Sequence, residues 1–365
     1  MSLPTGAPTA EAAHRILLVD TTQYAPTTPL FLDALREHAA PYRFVDEGPF
    51  LRPLDRSLVH KIAYRLLRRR PLTAAALSRA LVAEATAFRP TVVVVVKGAY
   101  LHPGALRRVK ETTGATLVNY ATDDPFNPAH TTRDLLRGIP YFDLYACTKQ
   151  AIMADVRRAG CPRVAFVRFG YKPSVHFPET PTAPEEATRF ASDVVFVGGL
   201  DADRLPYIDA LLSIPRITLA LYGGYWNRFA RTRPFARGFA VGRSYRLALG
   251  SAKICLCLVR RANRDGHVMR SFEIPACGGF MLAERTADHL ELFREDREAA
   301  FFGSPAELVE KVRYYLAHDA ERRAIADAGM ERVRTDHHTY TDRLHEMLHH
   351  LGGAALAPGA SSGAG

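Results

Sequence analysis

The residues with the clearest chemical potential lie between positions 260 and 282, where a polar loop, a short helix and a Gly-Gly turn follow a strand. The loop contains Gly266, and the helix is predicted to begin near Val268. The first turn of a helix presents unpaired N–H groups and the positive end of its dipole, so it can bind a diphosphate. Glu273 follows about one turn later, where its carboxylate can accept hydrogen bonds from two vicinal hydroxyls. This spacing predicts a site for a diphosphate joined to a ribose.

The neighbours of Glu273 allow more than one role. Arg270 either neutralises phosphate charge or forms an ion pair with Glu273 three residues later. His267 either touches the sugar or diphosphate, or is an ordinary surface histidine. Pro275 is compatible only with a short or kinked helix. The residues alone leave these alternatives open.

Candidate acids and bases also occur in the first half of the chain. Asp123-Asp124-Pro125 follows a predicted strand, where a carboxylate can act as general base towards a substrate hydroxyl. Two adjacent acids in a turn also serve as caps, which is the alternative role. Ligands bind at the carboxyl ends of parallel strands, so Lys97 and Gly98, at the end of the buried strand, are better placed to contact a substrate. His102 and His130 are further candidates for a general base, and the alternative is that they take no part.

Two other patterns predict no additional chemistry. His345-Glu-Met-Leu-His349 matches the string of zinc proteases, but it lies on the last predicted helix with no convincing third ligand. We therefore expect no bound metal. Cys255 and Cys257 point to the same side of a strand and are predicted to be packed core thiols.

Short apolar runs alternate with helical periodicity along the chain. Thr91–Val96 is apolar at every position after Thr91, as expected for a strand buried on both faces. Strands separated by helices predict right-handed crossovers and parallel sheets. The other predicted strands are Arg15–Asp20, Tyr42–Val45, Thr116–Tyr120, Leu144–Cys147, Val164–Val167, Asp193–Val197, Ile217–Tyr222, Ala252–Val259 and Gly279–Ala283.

A proline-rich segment divides this pattern into two halves. The fold class is therefore predicted to be α/β, with two Rossmann-like domains whose parallel sheets face each other across a cleft. For the last helix, one arrangement that the sequence allows is packing against the N-terminal domain. The expected boundaries are a disordered N-terminus over 1–13, an N-terminal domain over 14–170, a linker over 171–192, a C-terminal domain over 193–335, a helix over 336–351 and a disordered tail over 352–365.

Composition limits the class of protein. The chain has 365 residues, of which 48 are Lys or Arg and 38 are Asp or Glu, giving a net charge of +10. This balance favours anionic partners. No zinc-finger spacing or aromatic RNA-binding signature occurs, so we expect no nucleic-acid partner. The basic segment Lys61–Arg70 is either a solvated helix face or a surface for peripheral membrane contact.

The predicted compartment is the cytoplasm. Five cysteines, an odd number, favour reduced thiols. No apolar run approaches the ~20 residues needed to cross a bilayer, and we expect no secretory signal at the N-terminus. If the basic segment contacts lipid, it would do so at the inner face of the membrane.

The string Arg270-Ser-Phe-Glu-Ile-Pro-Ala-Cys-Gly-Gly279 closely resembles the CgeB-like (spore-maturation) glycosyltransferase family, relatives of the retaining GT4-type families with the GT-B fold. Weaker matches occur in the family's order at Val95–Gly98, Leu117–Phe126, His289–Phe293, Phe301–Phe302 with Glu307–Leu308, Ala326–Gly329 and His338–Arg343. The resemblance implies a GT-B glycosyltransferase of the EC 2.4 class, with a nucleotide-diphosphate sugar in the C-terminal half and an acceptor in the N-terminal half. The acceptor is unspecified: a glycan, lipid, small molecule or protein. The alternative is a non-catalytic nucleotide- or sugar-binding protein of the same fold.

The resemblance also implies roles for individual residues. In related families two glutamates with seven residues between them frame the donor; Glu273 matches the second, which holds the ribose, and Asp265 stands at the first, shorter by a methylene. With His267, Asp123 and Asp124, Asp265 is a candidate catalytic residue. Retention of the anomeric configuration is implied, and so is metal independence, because Arg, Lys and helix N–H groups then meet the charge of the leaving diphosphate. No separate cofactor is expected, and the implied donor-binding residues are Gly198, Gly199, Arg204, Gly223, Gly224, Arg270, Ser271 and Glu273.

Overall fold

The computed structural model describes residues 14–22, 27–67 and 69–352. These residues divide into two compact units. The first unit extends to Ala146 and includes Ala154–Ala165, and the second comprises Cys147–Met153 and the chain from Phe166 onwards. The disorder predicted for 1–13 and for the tail beyond Gly352 lies outside the described residues.

The first unit is built on a sheet with strand order β2-β1-β3-β4-β5-β6. In β3 all five valines are buried, which confirms the prediction from its uniform apolar sequence. Strands β1 to β4 pair in parallel, with Val94 of β3 opposite Leu18 and Val118. The strands are β1 (Ile16–Asp20), β2 (Tyr42–Asp46), β3 (Val92–Val96), β4 (Thr116–Ala121), β5 (Leu144–Cys147) and β6 (Val164–Phe166).

The second unit holds a parallel sheet with strand order β11-β10-β9-β7-β8. Its central strand β9 alternates between two apolar layers: Cys255 and Cys257 pack on one face, and Ile254 and Leu256 on the other. Both thiols are buried and free, as predicted. The strands are β7 (Ser192–Val197), β8 (Leu219–Tyr222), β9 (Ala252–Cys257), β10 (Met281–Glu284) and β11 (Ala300–Phe302).

Helices follow or separate the strands in both units, as the crossover pattern requires. Several begin at a side-chain cap: Thr132, Thr286 and Ser304 each accept a hydrogen bond from the backbone N–H three residues later. The helices are α1 (Thr27–Glu37), α2 (Gly48–Arg56), α3 (Leu58–Leu66), α4 (Ala74–Phe88), α5 (Pro103–Thr113), α6 (Arg133–Gly138), α7 (Met153–Arg158), α8 (Pro184–Phe190), α9 (Leu205–Leu212), α10 (Arg243–Gly250), α11 (Arg270–Ala276), α12 (Ala287–Leu292), α13 (Pro305–Ala317), α14 (Asp319–Thr335) and α15 (Tyr340–His349).

The proline-rich segment and the closing helix both belong to the second unit. Helix α8 lies within the expected linker, and α15 begins with a capping box formed by Thr339 and Asp342. The backbone of Tyr171 donates to His338 and accepts from Tyr340, so the start of α15 is tied to the start of the second unit. In the described part of the chain, no helix is both long and apolar enough to cross a bilayer.

Candidate functional site

The second sheet has a topological switch between β7 and β9. The chain leaves β7 towards β8 on one side, whereas β9 and β10 add on the other side. Connections that diverge in this way leave a crevice at the carboxyl ends of the two strands, where parallel sheets bind ligands. The turn after β7 begins at Gly198, and the loop after β9 runs towards α11. The order of the strands therefore brings the two predicted donor segments to one edge.

Two glycine turns lie against each other at this edge. The N–H of Gly198 donates to Tyr222 O at 2.8 Å, and the N–H of Leu200 donates to Gly224 O at 2.9 Å. Gly223 has a φ of 125°, and a Cβ there would lie 2.4 Å from Gly198 O. Glycine is therefore required at position 223 by both its conformation and the close approach. The predicted pairs, 198–199 and 223–224, form one backbone surface.

An arginine cluster lies beside the first of these turns. The guanidinium carbons of Arg204 and Arg270 lie 5.2 Å and 5.9 Å from the centre of the Phe196 ring. Arg204 is only 5% exposed, and its Nη1 donates to Gly199 O at 2.7 Å. Burial lowers the pKa of Arg204 to about 10, and repulsion from Arg270 and Arg260 adds to this effect. The positive charge here is therefore only partly neutralised by the protein.

Two donors of this cluster are left without a partner. The Nε atoms of Arg204 and Arg270 are buried, and neither makes a hydrogen bond to any described residue. An unsatisfied buried donor costs about 1–3 kcal/mol, and more when it carries charge. An anion bound between the two guanidinium groups would recover this energy.

Glu273 is buried on α11, with 7% of the residue exposed. Its Oε2 accepts a hydrogen bond from the Tyr245 hydroxyl at 2.6 Å. Burial, and next the charge of Glu273, raise the pKa of Tyr245 well above its ordinary value, so the hydroxyl keeps its proton and donates. The Nε2 of His176 lies 3.6 Å from Oε1, beyond a normal hydrogen bond. Oε1 thus keeps capacity to accept a hydroxyl of a ligand.

Burial also lowers the pKa of His176, so this imidazole is neutral at pH 7 and forms no ion pair with Glu273. Within the described residues no ion pair joins Arg270 to Glu273 either, so that alternative for Arg270 is wrong. Arg270 lies over Phe196 instead.

His267 is fully buried, so the alternative of an ordinary surface histidine is wrong. Its Nε2 accepts the N–H of Phe169 at 3.2 Å, and its Nδ1 lies 2.7 Å from the carboxylate of Asp288. Nδ1 therefore carries the proton, and burial lowers the pKa of the ring. A ligand contact by His267 would require one of these hydrogen bonds to break. A Cβ at position 266 would lie 2.4 Å from Asp288 Oδ2, so a larger residue there would displace the carboxylate that His267 contacts.

Asp265 belongs to a buried ion pair. Its side chain is 4% exposed, and Oδ1 lies 3.1 Å from Nζ of Lys149, which is fully buried. Oδ1 also accepts from Asn263 Nδ2 at 2.9 Å, and Lys149 donates to the Thr148 hydroxyl at 2.9 Å. Removing one partner of such a pair leaves an uncompensated buried charge. Asp265 thus fixes the loop before α11.

Ser271 is fully buried in a second fixed network. Its Oγ accepts the N–H of Val268 at 3.1 Å and lies 2.8 Å from Nε2 of His289. Nδ1 of His289 lies 2.7 Å from the carbonyl of Glu284, so Nδ1 donates and Nε2 accepts from Ser271. Burial lowers the pKa of His289 to about 4, which keeps it neutral. Ser271 holds the start of α11, which begins at Arg270 rather than near 268.

In the first unit, the residues after β3 and β4 meet. Lys97 forms an ion pair with Asp123, and both lie with Asp124 and His130 around a small cavity of about 10 Å³, enough for one water molecule. Oδ1 of Asp124 accepts the N–H of Phe126 at 2.9 Å, so Asp124 closes a turn and does not cap a helix. His102 caps α5, because its Nδ1 accepts the N–H of Gly104. Gly98 follows β3 and has a positive φ.

These geometries can be compared with known proteins. Residues 204–349 match a family profile described as "Glycosyl transferase-like". HepE of Anabaena, solved with UDP-glucose, aligns at 14% identity and a TM-score of 0.63, covering 93% of this chain and 99% of that chain. Sucrose-phosphate synthase of Thermosynechococcus elongatus aligns at 12% identity and a TM-score of 0.66, covering 93% and 98%. A glycosyltransferase of Rickettsia africae aligns at 10% identity and a TM-score of 0.64, covering 94% of this chain and 99% of that chain.

The fold is that of the GT-B glycosyltransferases. This finding confirms the predicted fold class of two α/β units with parallel sheets. No curated protein sequence matched the chain. The matched region of the GT-B chain contains the arginine cluster and Glu273.

Sequence reasoning missed several residues of this GT-B chain. Two residues separate Arg260 from the end of β9, and a basic pair, Arg260 and Arg261, near that strand end was a usable signal. Tyr245 and His176 gave no local signal, because they reach Glu273 from distant segments.

The missed acids Asp20 and Glu47 lie at the carboxyl ends of two adjacent strands: Asp20 is the last residue of β1, and Glu47 directly follows β2. They are 3% and 5% exposed. Burial raises the pKa of Asp20 to about 6 and that of Glu47 to about 8, where repulsion by Asp20 adds to the effect. An acid at or directly after the end of each of two adjacent strands was the signal for this pair.

No metal centre is apparent in the described ranges of the chain. No three His, Cys, Asp or Glu side chains come together there in a way that could hold a metal ion, the His345–His349 string included.

Proposed function

We propose that the protein is a glycosyltransferase of the CgeB-like kind, which transfers a sugar from a nucleoside diphosphate sugar to an acceptor. The observation that carries this proposal is the pair of buried, unpartnered Nε donors on Arg204 and Arg270 at the switch point of the second sheet. A diphosphate supplies the anionic oxygens that these donors lack. The match to the glycosyl transferase-like profile over the same residues supports the same assignment.

The proposed donor site uses the second unit throughout. Arg204 and Arg270 bind the diphosphate and stabilise the charge that develops on it as the sugar leaves, without a metal ion or other cofactor. The bare backbone of Gly198 and Gly199 allows the phosphates to approach closely, and Oε1 of Glu273 accepts a ribose hydroxyl. The turn at 223–224 adjoins the nucleobase.

The proposed acceptor side is the first unit. Asp123, held by Lys97 beside Gly98, polarises the acceptor hydroxyl. Asp124, Asp265, His267 and Ser271 are buried and bonded within the protein, so they act as positioning residues. Retention of configuration rests on the family resemblance. The five buried free thiols support a cytoplasmic location.

Calorimetric titration of the full chain with UDP, GDP and dTDP tests the donor site. We expect one nucleotide to bind, and Arg204→Ala and Arg270→Ala each to weaken it at least about tenfold, since a charge-assisted hydrogen bond contributes about 1.5–3 kcal/mol. Arg313→Ala, an exposed arginine on α13, is the matched control and should bind as the wild type does. Equal affinity in all variants would refute the proposed site.

The buried ion pair of Asp265 favours a second candidate, a non-catalytic nucleotide- or sugar-binding protein. In this case the acid at the first donor position is neutralised by Lys149 and contributes nothing to transfer. Incubation with a panel of UDP-, GDP- and dTDP-sugars separates the two candidates. Nucleotide release supports the transferase, whereas binding without release supports the binding protein.

A further inference from the structure

The first unit contains a second, larger cavity, which is lined by none of Lys97, Asp123 and Asp124. It has a volume of about 300 Å³ and lies between the end of α3, the loop after β3 and the start of α6. A cavity of this size suits a small ligand or a headgroup. One acid, Asp134, lines it against four arginines: Arg69, Arg70, Arg133 and Arg137. The described residues of the lining therefore carry a surplus of three positive charges.

Two of these arginines have no acidic partner in the part of the chain that the structure describes. Arg70 Nε lies 3.2 Å from Asp134 Oδ2, and Arg69 donates to the carbonyl of Pro128. Arg133 and Arg137 form no ion pair with any described residue, and both are exposed. They lie four residues apart on α6, so they share a face and repel each other. An anion in the cavity would relieve this repulsion.

A stripe of exposed apolar side chains leads into the same cavity. None of the side chains of α3 is buried. Leu58, Ile62 and Leu66 recur every four residues and are 73%, 50% and 77% exposed, and Val59 beside them is 68% exposed. Leu66 and the following Leu67 also line the cavity. Patches of this kind on a protein surface mark sites of interaction with apolar partners.

We propose that α3 and the arginine cavity dock on the surface of an anionic lipid bilayer, with a lipid phosphate bound between Arg133 and Arg137. The stripe of exposed apolar side chains on α3 then enters the boundary between headgroups and acyl chains, as amphipathic interfacial helices do. Lys61 and Arg65, exposed on the same helix, face the anionic headgroups. A lipid phosphate joins the two halves of the surface, because it carries an anion and an apolar chain in one molecule. This proposal does not depend on the proposed transferase activity.

Co-sedimentation of the full chain with vesicles tests the proposal. We expect binding to vesicles that contain phosphatidylglycerol and little binding to phosphatidylcholine alone. Raising the salt from about 0.1 M to about 1 M shortens the Debye length from about 10 Å to about 3 Å and should release much of the bound protein. Equal binding to both kinds of vesicle, or no binding to either, would overturn the proposal.

Two pairs of substitutions separate the charged and apolar contributions. Arg133→Gln with Arg137→Gln should weaken binding to anionic vesicles at least about tenfold, because each arginine near the surface adds roughly a factor of five. Arg79→Gln with Arg108→Gln makes the same change of charge on exposed residues of α4 and α5 and should have a smaller effect. Ile62→Asp with Leu66→Asp should abolish binding, whereas Leu290→Asp, an exposed leucine of the second unit, should not.

Other occupants of the surface give distinct results. Thermal stabilisation by inorganic phosphate alone, unchanged by Ile62→Asp with Leu66→Asp, would assign the cavity to a free anion and overturn the proposal. A dimer that this pair abolishes in light scattering would assign the stripe to a second copy and overturn it as well. Because vesicle binding is read without nucleotide, failure here is distinguishable from failure of the donor site. Unchanged circular dichroism and nucleotide binding confirm that the variants fold.

Discussion

At the scale of single residues, Glu47 is a buried acid that the protein compensates poorly. It is 5% exposed, and its Oε1 has no hydrogen-bond partner among the described residues. The charges that act on it are Asp20 and Asp46, which repel, and Lys97, which attracts. Burial is the largest cause of its raised pKa of about 8, so at pH 7 the carboxyl is mostly protonated. Folding therefore favours the neutral acid.

We expect the Glu47→Gln variant to lose stability less than the wild type does as the pH rises. In the wild type the folded state holds this proton up to about pH 8, whereas the unfolded chain releases it near its ordinary pKa of about 4.3. The free energy of unfolding thus falls between these values, by at most about 1.4 kcal/mol per pH unit. Urea unfolding from pH 5 to 8 measures this difference. Glu111→Gln, at an exposed position of α5, is the control. Parallel profiles for Glu47→Gln and the wild type would contradict the prediction.

At the scale of elements, the contact between the turns after β7 and β8 requires glycine at position 223. A Cβ at position 223 would lie 2.4 Å from Gly198 O, and its φ of 125° disfavours any L-residue. We expect Gly223→Ala to destabilise the second unit by at least about 2 kcal/mol and to weaken nucleotide binding, because the turn at Gly198 must move.

Gly238→Ala is the matched control for this substitution. Its φ of 75° is also positive, but nothing lies within 4 Å of an added Cβ, so only the backbone strain of about 1–2 kcal/mol remains. Urea unfolding and calorimetry compare the two variants. If Gly238→Ala impaired nucleotide binding as strongly as Gly223→Ala, the contact between the turns would not be the cause.

The sequence pattern predicts most elements, because apolar periodicity is a local property. Strand β3 was predicted to within one residue. Strand β11 has only three residues, too few to show a period. Helix α10 was also missed, and with it Tyr245, the partner of Glu273.

The candidate site was predictable only in part. Gly198 and Arg204 were named from the family resemblance and Arg270 from its position three residues before Glu273. That the two arginines meet at Phe196 depends on β7 lying beside β9. Alternation of strands and helices does not determine that order. The roles of Asp265 and His267 were also hidden, because Lys149 and Asp288 are distant in sequence.

At the scale of the whole molecule, the two units are interleaved in sequence. The segment Cys147–Met153 belongs to the second unit, although the chain before and after it belongs to the first. This segment carries Lys149, the buried partner of Asp265. The loop that precedes α11 is thus fixed by a residue encoded more than a hundred positions earlier.

This arrangement predicts where a nucleotide stabilises the protein. If the donor site lies wholly in the second unit, a saturating nucleoside diphosphate should slow hydrogen exchange at 198–204 and 260–273, and leave β1 to β4 unchanged. At a hundred times the dissociation constant, bound ligand adds about 2.7 kcal/mol to the stability of the state that binds it, a change of about a hundredfold in exchange through unfolding. Mass spectrometry of exchange measures each segment. The Arg204→Ala variant should lose this protection at the same nucleotide concentration, and protection confined to the first unit would show that the nucleotide binds elsewhere.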